Sequence, residues 1–131
     1  MVKLRHVIAD LHGCPRGALD DVEIVRMALI RGAEAAKCRI VNNCFHQFRP
    51  QGVTGVVVVE ESHLSIHTWP EHGFAAVDVC TCGEADPIAG LNAIRAALTP
   101  EHMNVVRDFE RIVVEEHAAQ NPLHHGTEPT P

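Results

Sequence analysis

Between Arg39 and Cys82 the chain passes through four strand-length segments with only short turns between them. Arg39 to Phe48 ends at Arg49-Pro50-Gln51-Gly52, and Val53 to Glu60 is rich in Val and flanked by Gly. Leu64 to Trp69 ends at Pro70-Glu71-His72-Gly73, and Phe74 to Cys82 closes on Gly83. Connections this short favour antiparallel pairing between neighbours, because a parallel crossover needs a dozen residues or more.

The flanks complete the layout. Lys3 to His12 alternates, with Leu4, His6, Ile8 and Asp10 on one side and Val7, Ala9 and Leu11 on the other, and Gly13-Cys14-Pro15 ends it. Asp20 with Glu23 resembles a capping box, and Val22, Val25, Leu29, Ala33 and Ala36 recur at helical steps, predicting an amphipathic helix from about Asp20 to Ala36. Asp86-Pro87 starts a second helix, striped by Ile88, Leu91, Ile94 and Leu98 before Pro100, and Met103 to Val114 is a final strand. The predicted class is α+β: a two-layer sandwich in which two helices pack on one face of an antiparallel sheet, as one domain over residues 1–116. Val56 to Val59 are apolar in both directions, so the second face is expected to be covered as well, most simply by another copy in a homodimer or larger assembly. The polar, Pro-punctuated residues 117–131 cannot repay the entropy of ordering and are expected to be disordered.

Composition narrows the function. A net charge of -6 without a basic cluster argues against nucleic acid, and no apolar run approaches the roughly 20 residues of a membrane span. Met1 to His6 lacks the features of a secretory signal, so a cytoplasmic location is expected. Five cysteines, an odd number without a secreted framework, are expected to stay thiols there.

The chemistry concentrates where strand formers give way to Glu61-Ser62-His63-Leu64-Ser65-Ile66-His67-Thr68-Trp69-Pro70-Glu71. A metal site is poorly matched: His63 and His67 would converge on a helix, but on a strand they sit about 13 Å apart, and Cys80-x-Cys82 lacks a second pair. A hydrolase using Ser62 or Ser65 with His67 remains open, although no Gly-x-Ser-x-Gly elbow is present.

The segments Gly52-Val-Thr-Gly-Val-Val-Val-Val, Glu61 through Gly73 and Ala75-Ala-Val-Asp-Val-Cys-Thr-Cys-Gly resemble prokaryotic S-adenosylmethionine decarboxylase proenzymes. Arg5-His-Val-Ile-Ala-Asp-Leu, Leu19-Asp-Asp and Phe45-His-Gln-Phe extend the resemblance over residues 3 to 115. It implies cleavage between Glu61 and Ser62, giving a β chain of 1–61 and an α chain of 62–131, with Ser62 converted to a pyruvoyl group that forms a Schiff base with the substrate. No metal or pyridoxal phosphate is then expected. By the same resemblance His67 is the processing base, Thr54 assists it, and Cys82 is the proton donor of decarboxylation. Phe48 and Trp69 match an adenine clamp, where cation-π attraction to a sulfonium is available, and Glu71 is placed to accept ribose hydroxyls.

Three positions depart from the usual pattern: Cys80 stands where an aromatic is common, Glu60 where a small residue is, and Leu4 where Gly often precedes Arg5. Ser62 and His67 are an odd number apart, so a turn or bulge is expected between them in the precursor. Decarboxylation of arginine or ornithine by the same chemistry, or a non-catalytic nucleoside-binding member of the fold, are the alternatives.

Overall fold

The structure, a computed structural model, describes residues 2–114. The expectation of disorder over 117–131 lies outside the described residues. In chain order the elements are β1 (Val2–His12), α1 (Arg16–Leu19), α2 (Val22–Ala35), β2 (Arg39–Gln47), β3 (Val53–Glu60), β4 (Ser62–Trp69), β5 (Phe74–Cys82), α3 (Pro87–Leu98) and β6 (His102–Val114). A single 3-10 turn, Pro70–His72, joins β4 to β5. The strands form one six-stranded sheet in the order β2-β3-β4-β5-β1-β6, antiparallel throughout. The expected α+β sandwich is therefore the observed one, with β1 inserted between β5 and β6.

Period-two alternation sorts the strands' side chains. Val53, Val57 and Val59 of β3, Leu64 and Ile66 of β4, Val77 and Val79 of β5, and Val7, Ala9 and Leu11 of β1 are buried in one apolar cluster. Val25, Leu29 and Ala33 of α2 and Leu91, Ile94 and Leu98 of α3 complete that cluster from the helical side. The helices cross closely because glycines face each other: a Cβ on Gly90 would lie 2.8 Å from the Gly32 carbonyl oxygen. Among the described residues no helix packs on the opposite face of the sheet, which carries in-phase His6, His63, Ser65, His67 and Trp69, with Val58 40% exposed.

Two local expectations are corrected. The N-cap of α2 is Asp21, not Asp20: its Oδ1 accepts the backbone N–H of Glu23 at 2.9 Å and of Ile24 at 3.2 Å. Asp20 is drawn instead to the β2–β3 turn, where its Oδ1 accepts the Gly52 N–H at 2.9 Å. The short helix α1 between Pro15 and Asp20 was not expected, since four residues carry no periodicity.

Candidate active site

β4 starts at Ser62 rather than Leu64, directly after a tight hairpin. Val59 of β3 pairs with Ser62, so the chain reverses through Glu60 and Glu61, both exposed. Ser62 itself is half-buried and its φ of 157° is close to fully extended. Across β4 and β5, His63 pairs with Cys80, so Ser62 and Cys82 both lie at this end of the strand pair, just beyond its terminal pair. Cys82 pairs with Leu4 on its other side and lines a surface hollow of about 340 Å³ with Val2, Lys3 and Gly83.

The other named residues gather at the far end of the same strands. Thr54 and His67 are direct cross-strand partners, and the Thr54 hydroxyl is hydrogen-bonded to His67 Nδ1. Around that imidazole stand Trp69, with ring centres 4.0 Å apart, and Phe48, at 5.9 Å. His46 and Phe74 extend the group, 4.7 Å from Phe48 and 5.4 Å from Trp69 respectively, and neither was singled out from the sequence. Phe48 and Trp69 are 39% and 37% exposed, which is unusual for rings that could have been folded into the core, and makes an aromatic wall available to a ligand. Glu71 follows at once in the 3-10 turn, exposed.

The expected turn or bulge between Ser62 and His67 does not exist. β4 pairs with β3 in unbroken register from Ser62 to His67, and the reversal lies before Ser62 instead. Five residues of regular strand separate the two by about 16 Å. Strand alternation also puts Ser62 in phase with the core-facing Leu64 and Ile66, whereas His67 shares the helix-free face with His63 and Ser65. Within one chain, then, Thr54, His67, Phe48 and Trp69 come together at one end of β4, while Glu61 and Ser62 lie at the other end, where Cys82 ends β5 in phase with Cys80 and His63 on the face opposite the Ser62 side chain.

The polar groups that hold the second cluster were not legible as functional. Thr68, between His67 and Trp69, is buried at 1% exposure, and its hydroxyl donates to the Leu19 carbonyl at 2.8 Å while accepting the Val53 N–H at 2.9 Å. A polar residue in phase with Leu64 and Ile66 was the available signal. Among the described residues no group of three or more His, Cys, Asp and Glu is arranged to hold a metal ion, and no helix is long and apolar enough to cross a membrane.

Comparison with known proteins gives this layout a context. The chain is 49% identical over 100 residues to an S-adenosylmethionine decarboxylase proenzyme of Caldanaerobacter subterraneus subsp. tengcongensis, covering 76% of this chain and 81% of that protein. It is 47% identical over 115 residues to the proenzyme of the same name from Carboxydothermus hydrogenoformans, covering 87% and 91%. In structure it resembles the crystal structure of the adenosylmethionine decarboxylase from Aquifex aeolicus, with a TM-score of 0.77 and 40% identity over 86% of this chain and 93% of that one. The sequence model of the S-adenosylmethionine decarboxylase family matches residues 5–111, which include both clusters, and the chain belongs to that family.

Proposed function

We propose that this protein is a self-cleaving decarboxylase of S-adenosylmethionine, working in the cytoplasm as a homodimer, in which Ser62 becomes a pyruvoyl group. The observation that supports it most is Ser62 at the end of an exposed hairpin, in a chain whose relatives are named proenzymes. Cleavage between Glu61 and Ser62 opens the hairpin without removing a core residue, and β4 stays paired to β3 and β5, so the new terminus keeps its place in the sheet. The residue present therefore fits the group it is to become. Once formed, that ketone supplies an electron sink for loss of carbon dioxide from a bound amino acid.

The remaining chemistry belongs to side chains. Ser62 Oγ attacks the Glu61 carbonyl carbon and its N–C bond breaks, turning amide into ester; His67, paired through Nδ1 with Thr54, handles the protons. Removal of the Ser62 α-proton then expels the Glu61 carboxylate, and hydrolysis of the resulting dehydroalanine releases ammonia and leaves the ketone. In turnover, Cys82 returns a proton to the carbon that has lost carbon dioxide. Phe48 and Trp69 hold the adenine and attract the sulfonium, and Glu71 accepts ribose hydroxyls.

These roles combine only between chains. With Ser62 and His67 about 16 Å apart along β4, the Thr54–His67 end of one protomer serves the Ser62–Cys82 end of its partner, giving two sites per homodimer. Exposed Val58, Phe48 and Trp69 on the helix-free face support such an assembly. A carbon dioxide release assay with S-adenosylmethionine, arginine and ornithine tests the substrate: turnover of S-adenosylmethionine is expected, and turnover of arginine alone would overturn it.

A further inference from the structure

The segments that carry Phe48, Thr54, His67, Trp69 and Glu71 share one support behind the sheet, the corner from Cys14 to Asp20. Cys14 N–H donates to the Gly73 carbonyl at 2.9 Å, bracing the end of the turn that holds Glu71. Leu19 carbonyl receives the buried Thr68 hydroxyl, and through it is tied to the first residue of β3, Val53. The next residue, Asp20, completes the set.

Asp20 Oδ1 accepts two hydrogen bonds, from the Gly52 N–H at 2.9 Å and from Gln47 Nε2 at 3.0 Å. Gln47 Nε2 also donates to the Gly52 carbonyl at 3.0 Å, and Phe48 N–H donates to that same carbonyl at 2.7 Å. The turn after β2 is thereby fastened at Gly52 and Gln47 by the Asp20 carboxylate, while Arg16 of the same corner donates to the Gln51 side-chain oxygen. Gly52 adopts a φ of +103°, and a Cβ there would lie 3.1 Å from the Thr68 carbonyl oxygen, so the turn is pressed directly against the residue between His67 and Trp69. Phe48 has aromatic neighbours on one side and solvent on the other, hence its ring position depends on where the backbone of this turn sits. A free turn would have to be ordered at each binding event, which weakens binding.

We infer that Asp20 is a positioning residue for the adenosyl-binding half-site: it touches no substrate but sets Phe48 against His67 and Trp69 through Gly52 and Gln47. The inference rests on the substrate role proposed for Phe48. It separates Asp20 from its neighbour Asp21, which caps α2 and has no link to the turn among its hydrogen bonds.

The test is a double-mutant cycle on the cleaved enzyme. Asp20→Ala is expected to raise KM for S-adenosylmethionine by about tenfold or more, the effect of losing the charge-assisted hydrogen bonds from Gly52 and Gln47. The value of kcat stays within about twofold, because a preformed binding surface acts alike on substrate and transition state. Asp20→Asn, which keeps an oxygen acceptor toward Gly52, restores KM to near the native value. On a Phe48→Ala background the Asp20→Ala change adds nothing further to KM, an outcome that general loss of stability would not produce. Additive effects, or a native KM in Asp20→Ala beside a raised KM in Phe48→Ala, overturn the inference. A native KM in Phe48→Ala alone instead faults the substrate role of that ring and removes the inference with it. Should Asp20→Ala fail to fold, Gln47→Met removes only the bridging amide; it is expected to raise KM in the same direction, and an unchanged KM counts against the inference.

Discussion

Ser62 and His67 lie on one uninterrupted strand, five residues apart and out of phase, so no side-chain motion within β4 brings the hydroxyl to the imidazole. In the proposed mechanism, the His67 that serves Ser62 therefore comes from another chain. The two halves of the proposed site at opposite ends of one sheet, whose second face no helix of the described residues covers, suit a two-fold dimer with both halves used twice.

That arrangement predicts complementation. Ser62→Ala and His67→Ala chains should each remain uncleaved when produced alone. Co-produced, the mixed dimer has one site with native Ser62 and native His67, and about half of the His67→Ala chains should be cut if protomers pair at random. Gel separation of differently tagged chains reads the result, and absence of any cleavage in the mixture would mean that processing runs within a chain.

Cys82 should be separable from cleavage. Cys82→Ala is expected to yield cut protein whose kcat for decarboxylation is lower by roughly 10²-fold or more, the scale of a lost general acid. Fully processed variant, checked by mass, should be compared with native enzyme in carbon dioxide release; equal rates would remove Cys82 from the proton transfer.

Gly55 is a packing position with no tolerance. A Cβ there would fall 1.9 Å from the Phe45 ring, which is itself held under the Arg26 guanidinium with 5.1 Å to the ring centre. Gly55→Ala must push the ring out and should cost about 2 kcal/mol or more. Chemical denaturation measures it; an unchanged midpoint would mean that Phe45 relocates freely.

Burial pushes the Cys14 thiol up from its ordinary 9.0 to about 11. Because the folded value is the higher one, the unfolded chain loses this proton first, so the associated stability is whole below pH 9 and is lost as pH rises toward 11. Cys14→Ser should flatten the fall in melting temperature across that range, leaving the smaller part due to Cys38, whose thiol burial also raises. Melting curves from pH 8 to 11 give the comparison, and parallel curves for the two proteins would contradict it.

Much of this architecture could be read ahead because its periodicities are local. The alternation of Val7, Ala9 and Leu11 against His6, Ile8 and Asp10, and the helical stripe of Val25, Leu29 and Ala33, depend only on which side each residue presents. The place of β1 between β5 and β6 depends on pairings across the whole chain, such as His6 with both Cys80 and Phe109, and no local pattern encodes it. Asp20 and Asp21 are equivalent as caps on paper; the Gly52 amide, 32 residues away, is what separates them. The residues of the candidate site stand together in the sequence as a motif, but the distance between Ser62 and His67 is not readable there, since it follows from a register that holds straight through β4. Two out-of-phase residues on one strand could meet only across a bulge, and the β3–β4 register has none between them.

Conversion of Ser62 into the pyruvoyl group leaves a mark that intact-mass spectrometry of the purified protein reads. Two fragments should appear, residues 1–61 and residues 62–131, the second blocked to Edman sequencing and carrying the mass of a ketone in place of the serine amine. Ser62→Ala should give one uncleaved chain. A native protein that decarboxylates S-adenosylmethionine while remaining a single chain of full mass would contradict the account.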